Sequence, residues 1–491
     1  MFAVLYNPWH ERLLNPIYSI PTIGPSAPLI SYLGSYRFIR HGRKMLKEGY
    51  DKVLSCDGAF KVPMLDQWLV VVSGSKLIDD LRKSPEDQLS FLAAAAEFVQ
   101  TEFIFGPGVS DDPYHTVIVR EKLNRTLHTL MPEVIDEISI AYKDLIPPCD
   151  NDWVSVPGMP TMLQIVARVT NRVLVGVPKC HDPDYLNWAI NFTINATKAR
   201  MTINMFPLFL KPLVGRMLTR VSKNVQAVAD HLRPMMEERT RNLEEYGDGW
   251  VDKPVKRLPH VAYGRTRARG HSFDSVVKRI LLLNFASVHT SSTSITHALY
   301  HLAASPEYIQ PIREEVEAVL KEEGDWTKAA MGKMYKLDSF MRESQRLNGI
   351  HCISVVRKAV KEVTLSDGTR IPSGTLVAAA AEATHHDEEN YVDPDVFDPF
   401  RFSKLRDDDG EGEKYLYVST SADYLPFGYG KHACPGRWFA SAELKAMIAY
   451  LVLNYDIKFA GDGKRPDNIF LGTAVVPARD AQVLFRRRRA L

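Results

Sequence analysis

Cysteine is scarce and scattered in this chain. The five cysteines at positions 56, 149, 180, 352 and 434 show no CxxC spacing and no dense framework. That excludes a disulfide scaffold and fits a reducing compartment. An excess of one charge is lacking too. The 61 basic side chains nearly balance the 59 acidic ones, for a net charge of +2, so no global field argues for a nucleic-acid partner. No apolar run reaches the roughly 18 residues that a spanning helix needs. The opening MFAVLYNPWHERLL is too short and too interrupted for a signal peptide. Internal repeats are absent as well. The sequons at Asn124, Asn191 and Asn195 fall in segments that read as helices, so they are taken as chance matches. The closing FRRRRAL reads as a solvated tail.

What is present is an ordinary globular composition, with 45% hydrophobic and 24% charged residues. A chain of this length can bury a large core and still enclose a cavity. After an N-terminal segment and Pro/Gly-rich hinge over 1–26, a single domain is expected over 27–491. Residues 58 to 74 read as two strands joined by a turn, and GSKLIDDLRK as a short helix. The stretch 90 to 113 reads as an apolar loop. From 114 to 240 the pattern is mostly helical, broken by MFPLFLKPL at 205 to 213, and 240 to 270 reads as an exposed connector. Ser272 to Ser305 carries neither Gly nor Pro, and a helix of that length spans about 50 Å. Its middle, ASVHTSSTS, puts hydroxyls and a histidine inside an apolar helix, where hydroxyls that bond back to carbonyls loosen the backbone ladder. Helices continue to about 348. VKEVTLSDGTRIPSGTLVAAA then reads as a hairpin and strands, KLRDDDGEGEKYLYVSTSAD as a polar loop, and RWFASAELKAMIAYLVLNY as an amphipathic helix. The fold class expected is mainly α with a small β part.

One cysteine stands out. In FGYGKHACPG, residues 427 to 436, Cys434 sits among three glycines just before a helix. A cysteine in a turn can be a disulfide half, a zinc ligand, a nucleophile or the thiolate ligand of an iron cofactor. A zinc site is poor here, because His432 alone does not complete a four-ligand set nearby. A thiolate at a helix N-terminus is favoured by the dipole and by unpaired backbone N–H groups. Gly430 and Gly436 allow a flat ligand to approach, Phe427 shields the sulfur from water, and His432 offers a donor to a carboxylate on that ligand. A planar, acidic cofactor with an iron centre fits all four features.

The stretch resembles the haem-binding signature of the cytochrome P-450 family, F-x-x-G-x-[HR]-x-C-x-G. ESQR, with Glu343 and Arg346, is similar to that family's E-x-x-R helix motif, and DPDVFDPFRF at 393 to 402 matches the segment that supplies the third member of its triad, Arg401. The variant FASVHTSS, with RLNGIHCISVVRKAV and HTVIVREKL, resembles a fungal branch that includes ent-kaurene and indole-diterpene oxidases.

The resemblance implies the family's fold, with a long central helix over haem b (iron protoporphyrin IX). It makes Cys434 the axial ligand of the haem iron and the triad structural. Arg357 is implied as a propionate-binding residue. Arg120 is a further candidate, with Thr116 where the family often has tryptophan and His115 as a possible substitute. In ASVHT, Thr290 is kept and His289 replaces the usual acid of a proton relay. The distal pocket is expected from the 90 to 110 loop, Phe285, Ala286, Thr290, Ile353 to Val356 and the turn near Val475. No flavin or iron–sulfur motif is present, so electrons are expected from an NADPH-cytochrome P-450 reductase, docked on Lys431, Arg437 and Lys445. Oxygen insertion into an apolar, terpenoid-like small molecule of secondary metabolism follows by resemblance. Two rivals are a haem-thiolate isomerase or dehydratase, which the lost acid at His289 would favour, and a non-catalytic haem sensor. Fungal members usually carry an anchor helix that is not seen here. Either the sequence is truncated, or its short apolar start and MFPLFLKPL give peripheral membrane contact; association with the cytosolic face of the endoplasmic reticulum is expected.

Overall fold

A computed structural model describes residues 16–25, 31–53, 58–149, 152–247, 272–409 and 412–488. Most of the N-terminal segment, the greater part of the 240–270 connector and the last three residues of the basic tail lie outside the described residues.

The architecture is mainly α with small sheets, as the patterning implied. The expected strand pair forms as Ala59–Pro63 and Trp68–Val72, antiparallel, and continues into a five-stranded sheet. Its next strand, Leu376–Ala379, runs parallel to Trp68–Val72 and antiparallel to Ser354–Ala359, which pairs with Leu89–Ser90 at the edge. The register between Ser354–Ala359 and Leu376–Ala379 slips at a bulge between Ser354 and Arg357. Val355 sits there at φ 52, a left-handed conformation that a β-branched residue rarely adopts. A bulge re-aims the side chains that follow it, and the one that follows is Arg357.

The central helix runs Phe273–Ala304. Ser272 caps its start by accepting a hydrogen bond from the Ser275 N–H, Asp274 lies in its first turn, and Pro306 follows its end. The expected back-bonding is present: Ser287 donates to the Leu283 carbonyl at 2.6 Å and Thr290 to the Ala286 carbonyl at 2.7 Å. The helix nevertheless stays α-helical throughout. The distortion lies elsewhere, in a π-helical turn at Ile118–Leu123.

Two further expectations are corrected. The 90–113 loop folds as two short helices, Phe91–Val99 and Thr101–Phe105, separated by Gln100 at φ 58. Four consecutive alanines, the best helix formers, and a Ser90 cap that accepts from the Ala93 N–H explain the first. The helix after the cysteine, Arg437–Asn454, is not amphipathic, because every residue from Ser441 to Val452 is buried. It packs against the central helix in the main hydrophobic core, and two smaller cores flank the five-stranded sheet.

Candidate functional site

The cysteine loop is closed by its own backbone. The Cys434 N–H donates to the Phe427 carbonyl at 2.7 Å and the Ala433 N–H to the Gly430 carbonyl at 3.0 Å. Gly428 at φ 76 and Gly430 at φ 73 supply the left-handed positions of the turn. Gly430 has a second reason to be glycine. A Cβ there would lie 2.4 Å from Cγ of Arg82, so its close neighbour is that arginine rather than a flat ligand. Gly436 differs: a Cβ on it would meet only Val119 Cγ1 at 3.9 Å and the Cys434 sulfur at 4.0 Å. The chain thus leaves that face open.

Cys434 lies at the floor of a cavity of about 350 Å³. The central helix roofs it with Ala286, Ser287, Thr290 and Ser291, and Phe91, Ala95, Ala96 and Val99 close one side. Burial raises the Cys434 thiol above its ordinary value, while hydrogen bonding to the backbone N–H groups of Gly436 and Arg437 and the nearby Arg437 charge pull it down. Burial outweighs the helix-end effect expected from sequence. A metal cation against the sulfur would reverse that balance.

The polar groups around Phe91, which lines the cavity, fit an anionic cofactor. Arg357 is 2% exposed, yet its Nε and Nη2 have no hydrogen-bond partner. Its Nη1 donates only to the neighbouring Val356 carbonyl at 2.9 Å. Burial pushes its pKa down to about 10, with Glu86 opposing. An orphaned buried guanidinium is costly unless an acid meets it. Its guanidinium lies 5.8 Å from the Phe91 ring centroid, and His432 stacks on the same ring at 5.2 Å. His432 Nε2 is 3.0 Å from Glu86 Oε2 without a hydrogen bond between them. Burial and Arg357 push His432 down, and Glu86 resists. His115 also lines the cavity with its Nδ1 buried and unpartnered, and burial and Arg279 push its pKa down to about 4. A cofactor carrying a metal over Cys434 and acidic groups toward Arg357 matches this donor set.

The remaining predicted residues are placed as follows. Thr290 faces the cavity with Cys434. His289, one residue earlier, is not part of that lining and is directed toward Thr193 and Arg200. Arg120 is exposed and donates to the Lys431 carbonyl at 3.2 Å, lining a separate groove with Lys328, Lys431 and Arg437. Phe427 packs edge-on against Tyr417 at 5.3 Å. Phe285 packs on Phe105 at 5.6 Å, and Ile353, Val355 and Val475 are buried among the flanking cores; none of these four lines the cavity. Lys445 is corrected outright. It is 4% exposed and bonds Asp338 and the Met331 carbonyl, both at 2.7 Å, so it is not on a docking face.

Glu343, Arg346 and Arg401 do come together. Arg346 holds both Glu343 oxygens at 2.7 and 2.8 Å, and Arg401 Nε reaches the same carboxylate at 3.2 Å. Arg346 also donates to the carbonyls of His385 and Pro394. His385 Nε2 in turn accepts the Leu425 N–H at 3.0 Å, two residues before the cysteine loop.

Glu443 was not singled out from sequence. It is fully buried, accepts from Thr170 at 2.9 Å, and has the Ser291 hydroxyl near it, while its Oε2 has no hydrogen-bond partner. Both hydroxyl residues line the cavity. Burial pushes its carboxyl up to about 8, so it holds a proton at neutral pH. A charged pair, Glu-Leu-Lys, inside a long apolar helix was the signal available.

The chain is similar to known proteins along its length. The cytochrome P450 family model matches residues 26–485. Cytochrome P450 monooxygenase 151 of Postia placenta is 49% identical over 99% of this chain and 97% of its own length. Cytochrome P450 monooxygenase CYP512U6 of Ganoderma lucidum is 39% identical over 96% and 92%. The fold is that of the cytochrome P450DA heme domain, with a TM-score of 0.70 at 17% identity, covering 96% of this chain and 98% of that one.

Proposed function

Because the chain belongs to the cytochrome P450 family, whose relatives at this identity are monooxygenases, we propose that it inserts one oxygen atom from dioxygen into an apolar, terpenoid-like small molecule. Haem b is the cofactor and an NADPH-dependent reductase the electron source. The observation that carries this reading is the sharing of one apolar cavity by Cys434 and Thr290, with the orphaned Arg357 next to Phe91 of its wall.

Bound there, the haem supplies oxygen activation, and the protein supplies binding, orientation and proton control. Cys434 would ligate the metal through its sulfur. Arg357 would take an acidic side group on its free Nε and Nη2. The alanine-lined wall excludes water and admits apolar substrate. Thr290 presents its hydroxyl to the same space, and the protonated Glu443 stands behind Ser291 and Thr170 as a proton store. Glu443 also weighs against the rival reading as isomerase or dehydratase, which rested on the lost acid at position 289. An acid stands beside the cavity although position 289 lacks one. Product formation that needs neither dioxygen nor reductant would overturn the monooxygenase reading.

Thr290→Ala tests the proton arrangement. Product formed per NADPH consumed should fall by about tenfold or more, while NADPH consumption continues. An unchanged ratio would remove Thr290 from the relay.

The groove lined by Arg120, Lys328, Lys431 and Arg437 has no acidic residue in its wall and borders the cysteine loop at Lys431, Ala433 and Pro435. It fits an acidic reductase surface. Lys328→Glu with Lys431→Glu should raise the KM for reductase about tenfold and flatten its salt dependence, leaving substrate affinity unchanged. Equal KM values at low salt would refute the assignment. No helix among the described residues is long and apolar enough to cross a membrane. Leu208, Phe209, Leu213 and Met217 are 60–79% exposed, a patch suited to peripheral contact with the cytosolic face of the endoplasmic reticulum.

A further inference from the structure

One polar cluster beyond the cavity wall takes no part in the chemistry above. Arg200, near the end of the helix Pro183–Ile203, holds its guanidinium 4.8 Å over the Phe98 ring. Among the described residues it makes no side-chain hydrogen bond or ion pair, and burial depresses its pKa with no carboxylate to offset it. Two imidazoles lie within its electrostatic reach, His289 and His351. His289 Nε2 is buried and unpartnered. The His351 ring meets Phe98 edge-on at 5.8 Å and stands 3.5 Å from the Thr473 hydroxyl, and burial keeps it neutral at pH 7. The cluster abuts the cavity. Ala95, Ala96 and Val99, sequence neighbours of Phe98, line it, and so does Thr290 next to His289, while Phe98, His289, His351 and Arg200 stand just behind that lining.

A half-buried guanidinium among neutral rings carries an unmet electrostatic cost. At three other arginines the fold meets that cost: Arg346 has Glu343, Arg168 has Glu137 and Arg313 has Asp456. At Arg200 the chain supplies donors and no acid, next to walls that are largely apolar. A planar carboxylate on an otherwise apolar molecule satisfies both, because guanidinium and carboxylate pair through two parallel hydrogen bonds.

We propose that the substrate is an apolar molecule bearing a carboxylate, which Arg200 anchors at the far end of the cavity while the apolar body lies above Cys434. The proposal rests on the monooxygenase reading and narrows its substrate class. Arg200 is a specificity-determining residue; it does not touch the reacting centre.

The test uses matched pairs on the haem-loaded protein: abietic acid against its methyl ester, and oleic acid against methyl oleate. Affinity is read by calorimetry. At least one acid should bind about tenfold or more tightly than its ester, which is about 1.4 kcal/mol and within the range of a charge-assisted hydrogen bond. Arg200→Gln should bring acid and ester within about twofold, and Arg200→Lys should retain part of the preference. Acids binding no better than their esters, or a preference unchanged in Arg200→Gln, overturns the proposal; absence of binding by either acid does so too. The reduced carbon monoxide spectrum is recorded on the same samples. A thiolate-type spectrum without acid preference sinks this inference alone. Acid preference without that spectrum sinks the haem-thiolate reading and leaves the anion site standing.

Discussion

Cys434→Ser should fold like the parent and yet give no band at about 450 nm when loaded with haem, reduced and exposed to carbon monoxide, whereas the parent shows that band in full. The fold should be undisturbed for a geometric reason. The loop is closed by backbone groups, the Cys434 N–H on the Phe427 carbonyl and the Ala433 N–H on the Gly430 carbonyl, and serine keeps both. The spectral loss should be total for a chemical reason. Only the thiolate donates enough charge to the iron to give that spectrum, and a hydroxyl at the same place does not ionise at neutral pH. Matching far-UV circular dichroism of the two proteins secures the comparison. A parent without the band, or a serine variant that retains it, would end the thiolate assignment.

The loop itself was legible because its signals are local: two glycines in left-handed turns, a proline, and a helix starting beside the sulfur. The strand pair at 59–72 and the limits of the central helix were legible for the same reason, since alternation, a Ser272 cap and Pro306 act within a few residues. What sequence did not show depends on partners far along the chain. Gly430 is glycine partly because Arg82, nearly 350 positions away, fills the space where its Cβ would be. Lys445 looks like a surface charge until Asp338 is seen against it in the core. Glu443 takes its meaning from Thr170 and Ser291, which lie on two other helices. His289 is next to Thr290 in sequence, but one helical residue turns the side chain by about 100°, and that step sends it toward Arg200.

The triad offers the largest stability effect, and a route from stability to the site. Glu343 and Arg346 are both 0% exposed and joined by two hydrogen bonds. Removing one partner of such a pair leaves a buried charge uncompensated, at a cost of about 3–5 kcal/mol, a large share of the roughly 5–15 kcal/mol that keeps a domain folded. Glu343→Gln preserves shape and removes only the negative charge, so the loss it causes is electrostatic. It should lower the urea midpoint sharply. Arg401→Lys should cost far less, because Arg401 is partly exposed and its Nε meets Glu343 at a longer 3.2 Å. The damage should also reach the cysteine loop. Arg346 holds the His385 carbonyl, and His385 holds the Leu425 N–H just before Phe427, so a displaced Arg346 loosens the segment that aims the sulfur. Glu343→Gln is therefore expected to lose haem on dilution at urea concentrations where it is still folded, while the parent keeps it. A urea midpoint matching the parent would show that the pair contributes nothing. A lower midpoint with unchanged haem retention would confine the triad to stability and cut its link to the loop.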